Sequence, residues 1–121
     1  MESPSLETKG RELGRLIGQS NEYQALKRAN EELNRDEEAV RLLRRMEELR
    51  VTATRLIERG ESPTPEMESE LDQLLSQVQV SAAYQRAIAS QENFDKLMAR
   101  VNTWIADGIR AGAASPIITL G

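Results

Sequence analysis

The sequence predicts an all-α protein of about five helices, of which the third and fifth are long. Aromatic residues make up only 3% of the 121 residues. The core therefore has to consist of aliphatic side chains and Ala, which suit helices better than sheets. Apolar residues recur every three or four positions along most of the chain, which is the period of an amphipathic helix. Residues that favour helix ends separate these segments, so we expect an antiparallel bundle or array.

The first helix is expected to begin at Ser5, after a short polar lead-in of residues 1–4. Glycines at positions 10, 14 and 18 recur on nearly one face, and each Gly costs a helix about 1 kcal/mol relative to Ala. We interpret this row mainly as a place of close helix packing within the fold, since Gly lets backbones approach. An interface role, or no special role, are the alternatives. Ser20 is the expected N-cap of the second helix.

The third helix has the clearest pattern. Asn34–Asp36 looks like a break, and Asp36 is the expected N-cap. Gly60 is the expected stop. The apolar seam steps by three and four residues, as in a heptad repeat: Ala39, Leu42, Met46, Leu49, Ala53 and Leu56.

The fourth helix begins at either Ser62–Pro63 or Thr64–Pro65, because both are N-cap and N1 pairs. A bend capped by Ser81 leads into the fifth helix, which is expected to end near Gly108 or Gly112. Its seam contains one polar residue, Gln91, which either fixes register or partner choice or lies where the helix turns outward. Residues 1–110 then form a single helical domain, and residues 111–121 a flexible tail.

The two long helices are expected to reach about 35–45 Å, which is long for a chain of this size. We therefore predict that a second chain covers part of the apolar surface, as in a homodimer or larger homo-oligomer. For Trp104 we favour packing in the core over a role as a binding anchor. The candidate interface residues are Leu42, Met46, Leu49, Phe94, Met98 and Trp104.

The composition argues against catalysis. The chain has no Cys and no His, which removes thiolate nucleophiles, His-based triads and the usual zinc ligands. We expect no catalytic residue, no cofactor and no metal site. The acidic residues between positions 31 and 38 are interpreted as helix ends. No signal peptide or segment of membrane-spanning length is recognised, so the expected location is the cytoplasm.

Five arginines lie on the third helix, at positions 41, 44, 45, 50 and 55. Acidic residues alternate with them almost one for one, and the net charge of the chain is −4. We therefore favour a solvated, salt-bridged helix face. Contact with RNA phosphates, or with an acidic protein, is the alternative.

The order of these elements resembles the bacterial YlbF/YmcA family, which includes the YheA-type proteins. The resemblance covers about residues 6–110. It rests on Leu13-x-x-Leu16-Ile17-x-x-Ser20-x-Glu22-Tyr23, the long charged helix ending at Gly60, and Phe94-x-x-Leu97-Met98-x-x-Val101-x-x-x-Ile105.

The resemblance implies a helical, non-enzymatic, often self-associating regulatory adaptor that binds other proteins. It also implies a role in developmental control or mRNA processing. Some members hold iron–sulfur clusters through cysteines, and that property does not carry over to a chain without Cys.

Overall fold

Helices occupy most of residues 2–114, the part of the chain that the computed structural model describes, with side chains described from Ser5 onwards. They are α1 (Glu2–Gln19), α2 (Asn21–Arg35), α3 (Glu37–Glu58), α4 (Pro65–Val78) and α5 (Ala82–Ala113). No β-strand occurs between residues 2 and 114, so the prediction of an all-α fold is confirmed. The longest helices are α3 with 22 residues and α5 with 32, as the sequence predicted.

The predicted helix starts are confirmed at four N-caps. In each, a side-chain oxygen accepts a hydrogen bond from the backbone N–H three residues later, which satisfies a donor that has no partner inside the helix. Thr64, followed by Pro65, is the N-cap of α4, which decides between the two candidate pairs. The four capping residues are Ser20, Asp36, Thr64 and Ser81.

The ends of α1 and α5 differ from the expectation. Helix α1 begins at Glu2 and not at Ser5, because a proline in the first turn lacks only an N–H that would have no helical partner. At the other end, α5 continues to Ala113, so the first residues of the predicted tail are helical. Residues 115–121 lie outside the described residues, and a flexible tail there stays a prediction.

The helices pack as two antiparallel pairs. Helix α5 lies along α2, and ion pairs of Glu32 with Arg86 and of Glu22 with Arg100 show that the two run in opposite directions. Helix α4 lies along α3 in the same manner, after a turn in which Gly60 adopts φ 79°. That φ lies in the left-handed region, which Gly occupies without a steric penalty. The two pairs meet where α2 passes into α3 and α4 passes into α5.

The core lies at this meeting point. Val78 and Ala39 are almost fully enclosed, at 0% and 1% exposure. They belong to one cluster that joins α3 to α4 and receives Tyr84 from α5. A second row of small and aliphatic side chains holds α2 against α5: Leu26, Ala29, Ala83, Ala87 and Val101.

Candidate protein-interaction surfaces

Three of the six predicted interface residues lie between α3 and α4. Leu42 and Leu49 are buried, at 3% and 6% exposure. Met46 is partly buried and packs against the cluster that contains them. Their burial removes apolar surface from water within one chain, which stabilises the pairing of α3 with α4. The structure therefore places these three residues in the packing of a single chain and not on an open surface.

The other three predicted residues follow one another along α5. Phe94 is partly buried and meets Tyr23 of α2 edge to face, with ring centroids 5.7 Å apart. Met98 is also partly buried, whereas Trp104 is 58% exposed. The expectation that Trp104 packs in the core is therefore wrong. Its position follows from the length of α5, which extends beyond the first residue of α2.

An uncovered apolar surface occupies this last part of α5. We call it the distal face, and it is defined by Trp104, Ile105 and Ile109, all of which are exposed. Arg100 lies 3.6 Å from Glu22, at the start of α2. Beyond this point α2 has ended, and α1 does not take its place, because α1 contacts α2 and does not pack along α5. The distal face is thus an apolar surface along which no other helix of residues 2–114 packs.

A second apolar surface, which is only partly covered, lies on α1. We call it the α1 face, and it is formed by Leu6, Leu13 and Ile17 together with the row of glycines at positions 10, 14 and 18. Leu6 is 72% exposed, whereas Leu13 and Ile17 are partly buried. A Cβ atom added to any of the three glycines would meet no atom within 4 Å. The prediction that these glycines mark close packing within the fold is therefore wrong, since no atom of the described residues lies where a side chain at these positions would be.

The direction of α1 is set at Ser20, which stands between α1 and α2 in an extended conformation (φ −65°, ψ 152°). Its hydroxyl donates to the carbonyl oxygen of Ile17 at 2.6 Å and accepts from the N–H of Tyr23 at 3.1 Å. The amide of Gln24 donates to the carbonyl of Gly18 at 2.8 Å. These bonds satisfy the last carbonyls of α1 and the first N–H groups of α2, so the bend is a defined local structure.

A third apolar site is a groove of about 210 Å³ between α3 and α4, at the edge of the core cluster, whose Leu49 also lines it. Ala53, Met67 and Leu71 contribute to its lining, and the loop between the helices contributes Pro63. Ile57 is exposed on the same end of α3. The groove is large enough for one apolar side chain of a partner. The sequence does not reveal this groove, because a helical period does not show where two neighbouring helices diverge.

The arginines of α3 are largely neutralised. Arg41 pairs with Glu38, and Arg50 pairs with Glu47. Arg45 donates two hydrogen bonds to the carboxylate of Glu70 on α4, at 2.7 and 3.0 Å. These ion pairs confirm the interpretation of this face as salt-bridged, and they neutralise three of its five arginines.

The ion pairs on α3 also change the pKa values of the acidic partners. The hydrogen bonds from Arg45 lower the pKa of Glu70, and burial opposes this effect. The hydrogen bond from Arg41 lowers the pKa of Glu38 in the same way. Since all these groups are exposed, their ion pairs contribute little to stability.

Two smaller predictions concern polar residues. Gln91 is exposed and donates a hydrogen bond to Asp95 at 2.9 Å, so it lies where α5 turns outward. Between residues 5 and 114, no group of three or more acidic side chains is placed to hold a metal ion. Asp36, one of the acidic residues interpreted as helix ends, is the N-cap of α3.

In the described part of the chain, no helix is long and apolar enough to cross a membrane.

Three comparisons relate this chain to known proteins. The profile of the family described as "Control of competence regulator ComK, YlbF/YmcA" matches residues 6–110. A protein of Streptococcus mutans named UPF0342 protein is 31% identical over 81 residues, which are 67% of this chain and 72% of that protein. A chain in the crystal structure of Bacillus subtilis RicA in complex with RicF has a similar fold, with a TM-score of 0.74 and 16% identity. The match covers 92% of this chain and 98% of that one.

The matched range includes at least part of every helix described above, and it spans the residues on which the resemblance was based. The relative from S. mutans supports the same assignment by sequence, and the B. subtilis structure supports it by fold. The chain belongs to the YlbF/YmcA family.

Proposed function

We propose that this chain is a non-enzymatic regulatory adaptor that acts by binding other proteins and by associating with itself, as a dimer or a larger homo-oligomer. The observation that carries the proposal is the pair of apolar surfaces that are uncovered or only partly covered, the distal face of α5 and the α1 face. Large apolar side chains grouped on the surface of a water-soluble chain commonly mark a protein interface. Trp104 also has the side chain that dominates binding energy in many interfaces.

The comparisons support the regulatory part of the proposal. The family carries a description that refers to control of a competence regulator, and the similar structure from B. subtilis is a complex of two proteins. For the present chain we propose a regulatory role in bacterial developmental control or mRNA processing. The chain would carry out this role in the cytoplasm, together with a heterologous protein partner. Of the six interface residues predicted from sequence, Trp104 is the one we assign to a contact between protein chains.

The measurement that tests self-association is the solution mass, determined by light scattering over a concentration series. We expect a dimer or larger species that dissociates on dilution, because the apolar faces are then returned to water. A folded protein that stays monomeric at the highest concentration would contradict the self-association. The adaptor role would then depend on the heterologous partner alone.

RNA binding through α3 is the competing function, and it has a separate test. Phosphate contacts weaken strongly with salt, so binding to a labelled RNA should be measured at low and high salt. We expect no binding by the wild-type chain, because Glu38, Glu47 and Glu70 already occupy three of the arginines. Salt-dependent binding that is lost in an Arg44→Glu/Arg45→Glu variant would favour the RNA function instead.

A further inference from the structure

The distal face continues an interface that already exists within the chain. Val101 is 4% exposed and follows Arg100, whose ion pair with Glu22 marks the end of the contact between α2 and α5. Ile105 and Ile109 follow it at intervals of four residues, so the three side chains form one row along α5. The row is covered at Val101 and open after it. The helix therefore presents to solvent the same apolar side that it buries against α2.

The distal face and the α1 face have complementary surfaces. On α5, the row of Val101, Ile105 and Ile109 lies beside a row of Trp104, Gly108 and Gly112. On α1, the row of Leu13 and Ile17 lies beside a row of Leu6 and the glycines at positions 10, 14 and 18. Each helix thus has a ridge of branched side chains next to a shallow groove. A Cβ atom added at any of these five glycines would meet no atom within 4 Å, so both grooves are open.

The same chain does not bring these faces together. Helix α1 leaves α2 at the extended residue Ser20 and does not pack along α5. An isolated helix of 18 residues containing three glycines is only marginally stable in water. A helix of this kind needs a surface to pack on, and a second copy of the chain offers one.

We propose that α1 of one copy packs on the distal face of α5 in a second copy, and that the exchange is reciprocal. The ridge of α5 then enters the glycine groove of α1, and the ridge of α1 enters the groove at Gly108 and Gly112. A two-fold axis makes both contacts identical. Each copy contributes both of its apolar faces, so four faces leave water when the dimer forms. This arrangement rests on the proposed self-association and specifies the surface that performs it.

Trp104 provides the test, because it is the single tryptophan of the chain. Its fluorescence emission and its quenching by acrylamide are measured on the full chain over a concentration series, in parallel with the solution mass. In the exchanged dimer, α1 of the partner covers Trp104, so the emission shifts to the blue and quenching falls as the dimer forms. In the dissociated chain, Trp104 is exposed and is quenched freely.

The variant Leu6→Glu places a charge on the α1 face, at a residue too exposed to support the fold of the monomer. We expect the dimer dissociation constant to rise at least about tenfold for each of the two contacts. Thr8→Glu is the matched control, since it adds the same charge to the opposite side of α1. It should leave the dimer and the tryptophan signal unchanged. Thermal melts of both variants check that the monomer remains folded.

A mixing experiment separates exchange between copies from closure within one copy. Wild-type chain is mixed with an excess of a Trp104→Phe chain that either keeps Leu6 or carries Leu6→Glu. If the partner's α1 covers Trp104, the emission of the wild-type chain depends on which partner is added. Protection of Trp104 in a monomer, at every dilution, would mean that α1 closes on its own α5 and would overturn the exchange.

The remaining outcomes distinguish this inference from the function on which it rests. A dimer whose Trp104 stays exposed, or whose mass is insensitive to Leu6→Glu, would overturn the exchange and leave self-association in place. A monomer with an exposed Trp104 at every concentration would overturn both. A dimer that loses its blue-shifted emission with Leu6→Glu and keeps it with Thr8→Glu supports both.

Discussion

Asp36 and Ser81 join the starts of two helices that are far apart in the sequence. The hydroxyl of Ser81 donates to Asp36 Oδ2 at 2.8 Å. Asp36 Oδ1 accepts from the N–H of Ala39 at the start of α3, and Ser81 Oγ accepts from the N–H of Tyr84 at the start of α5, each at 3.1 Å. Two N-caps therefore bond to each other at the point where the two helical pairs meet. This bond fixes the position of α5 relative to α3.

Replacing Ser81 with Ala should destabilise the protein by about 1–2 kcal/mol, the usual cost of losing an N-cap. The substitution removes the cap of α5 and also a hydrogen-bond partner of Asp36. Urea unfolding followed by circular dichroism measures the change. Ser76→Ala, at an exposed position of α4, is the control and should leave the unfolding midpoint almost unchanged. Equal effects of the two substitutions would mean that the bond to Asp36 has no structural role.

Acid should weaken the same junction. The hydrogen bond from the N–H of Ala39, followed by that from the Ser81 hydroxyl, lowers the pKa of Asp36, and burial opposes them. The unfolded chain, with an Asp pKa of about 3.9, therefore binds the proton more readily than the folded chain. The stabilisation is fully present above that value and is lost as the pH falls through the lower pKa of the folded state.

The measurement is the free energy of unfolding of the wild type and of Asp36→Asn at pH 7 and at several values between pH 5 and pH 2. The difference between the two proteins should shrink as the pH falls, because both then carry an uncharged side chain at this position. Asp72→Asn, at an exposed position of α4, is the control and should show no such trend. A constant difference between wild type and Asp36→Asn would contradict the shift in pKa.

Two valines that lie two residues apart should lose very different amounts of stability when each is replaced with Ala. Val78 is fully enclosed in the core, whereas Val80 is 80% exposed in the connection to α5. Val78→Ala should cost about 1.5–3 kcal/mol, since it removes two buried methyl groups and leaves a cavity. Val80→Ala should change the free energy of unfolding by less than about 0.5 kcal/mol. Chemical unfolding of both variants gives the comparison, and a similar loss for both would place the core elsewhere.

The helix boundaries were predictable because capping depends on residues within one turn. Ser20, Asp36 and Ser81 were each expected to begin a helix, and each does. Their joint arrangement was not predictable. The bond between Asp36 and Ser81 spans 45 residues of sequence, and nothing local to either residue indicates the other.

The candidate surface was predicted only in part, for a related reason. A period of three and four residues shows that one side of α5 is apolar, but it does not show which chain covers that side. Leu42 and Leu49 were therefore named as candidate interface residues and lie in the core. Trp104, a candidate interface residue for which core packing was favoured, is exposed. The glycine row of α1 was expected inside the fold. Its exposure depends on the direction that the chain takes at Ser20, and the sequence pattern of α1 does not predict that direction.

Replacing Gly14 in the glycine row of α1 with Ala should increase the helix content of the dissociated chain and weaken the dimer. Gly14→Ala should raise the helix content of α1 in the dissociated chain, because Ala is favoured over Gly by about 1 kcal/mol and the added Cβ meets no atom within 4 Å. The same methyl group narrows the groove into which the ridge of α5 fits in the exchanged dimer. We therefore expect more helix by circular dichroism at low concentration and a higher dissociation constant by light scattering.

Thr8→Ala is the matched control for Gly14→Ala, since it improves helix propensity on the opposite side of α1. It should raise the helix content without weakening the dimer. If Gly14→Ala instead strengthens self-association as Thr8→Ala does, then a more stable α1 is all that the dimer requires, and the glycine groove is not a contact surface. A weaker dimer together with a more helical α1 requires that a second chain lies against the groove, because no atom of residues 5–114 of the same chain comes within 4 Å of the added methyl group.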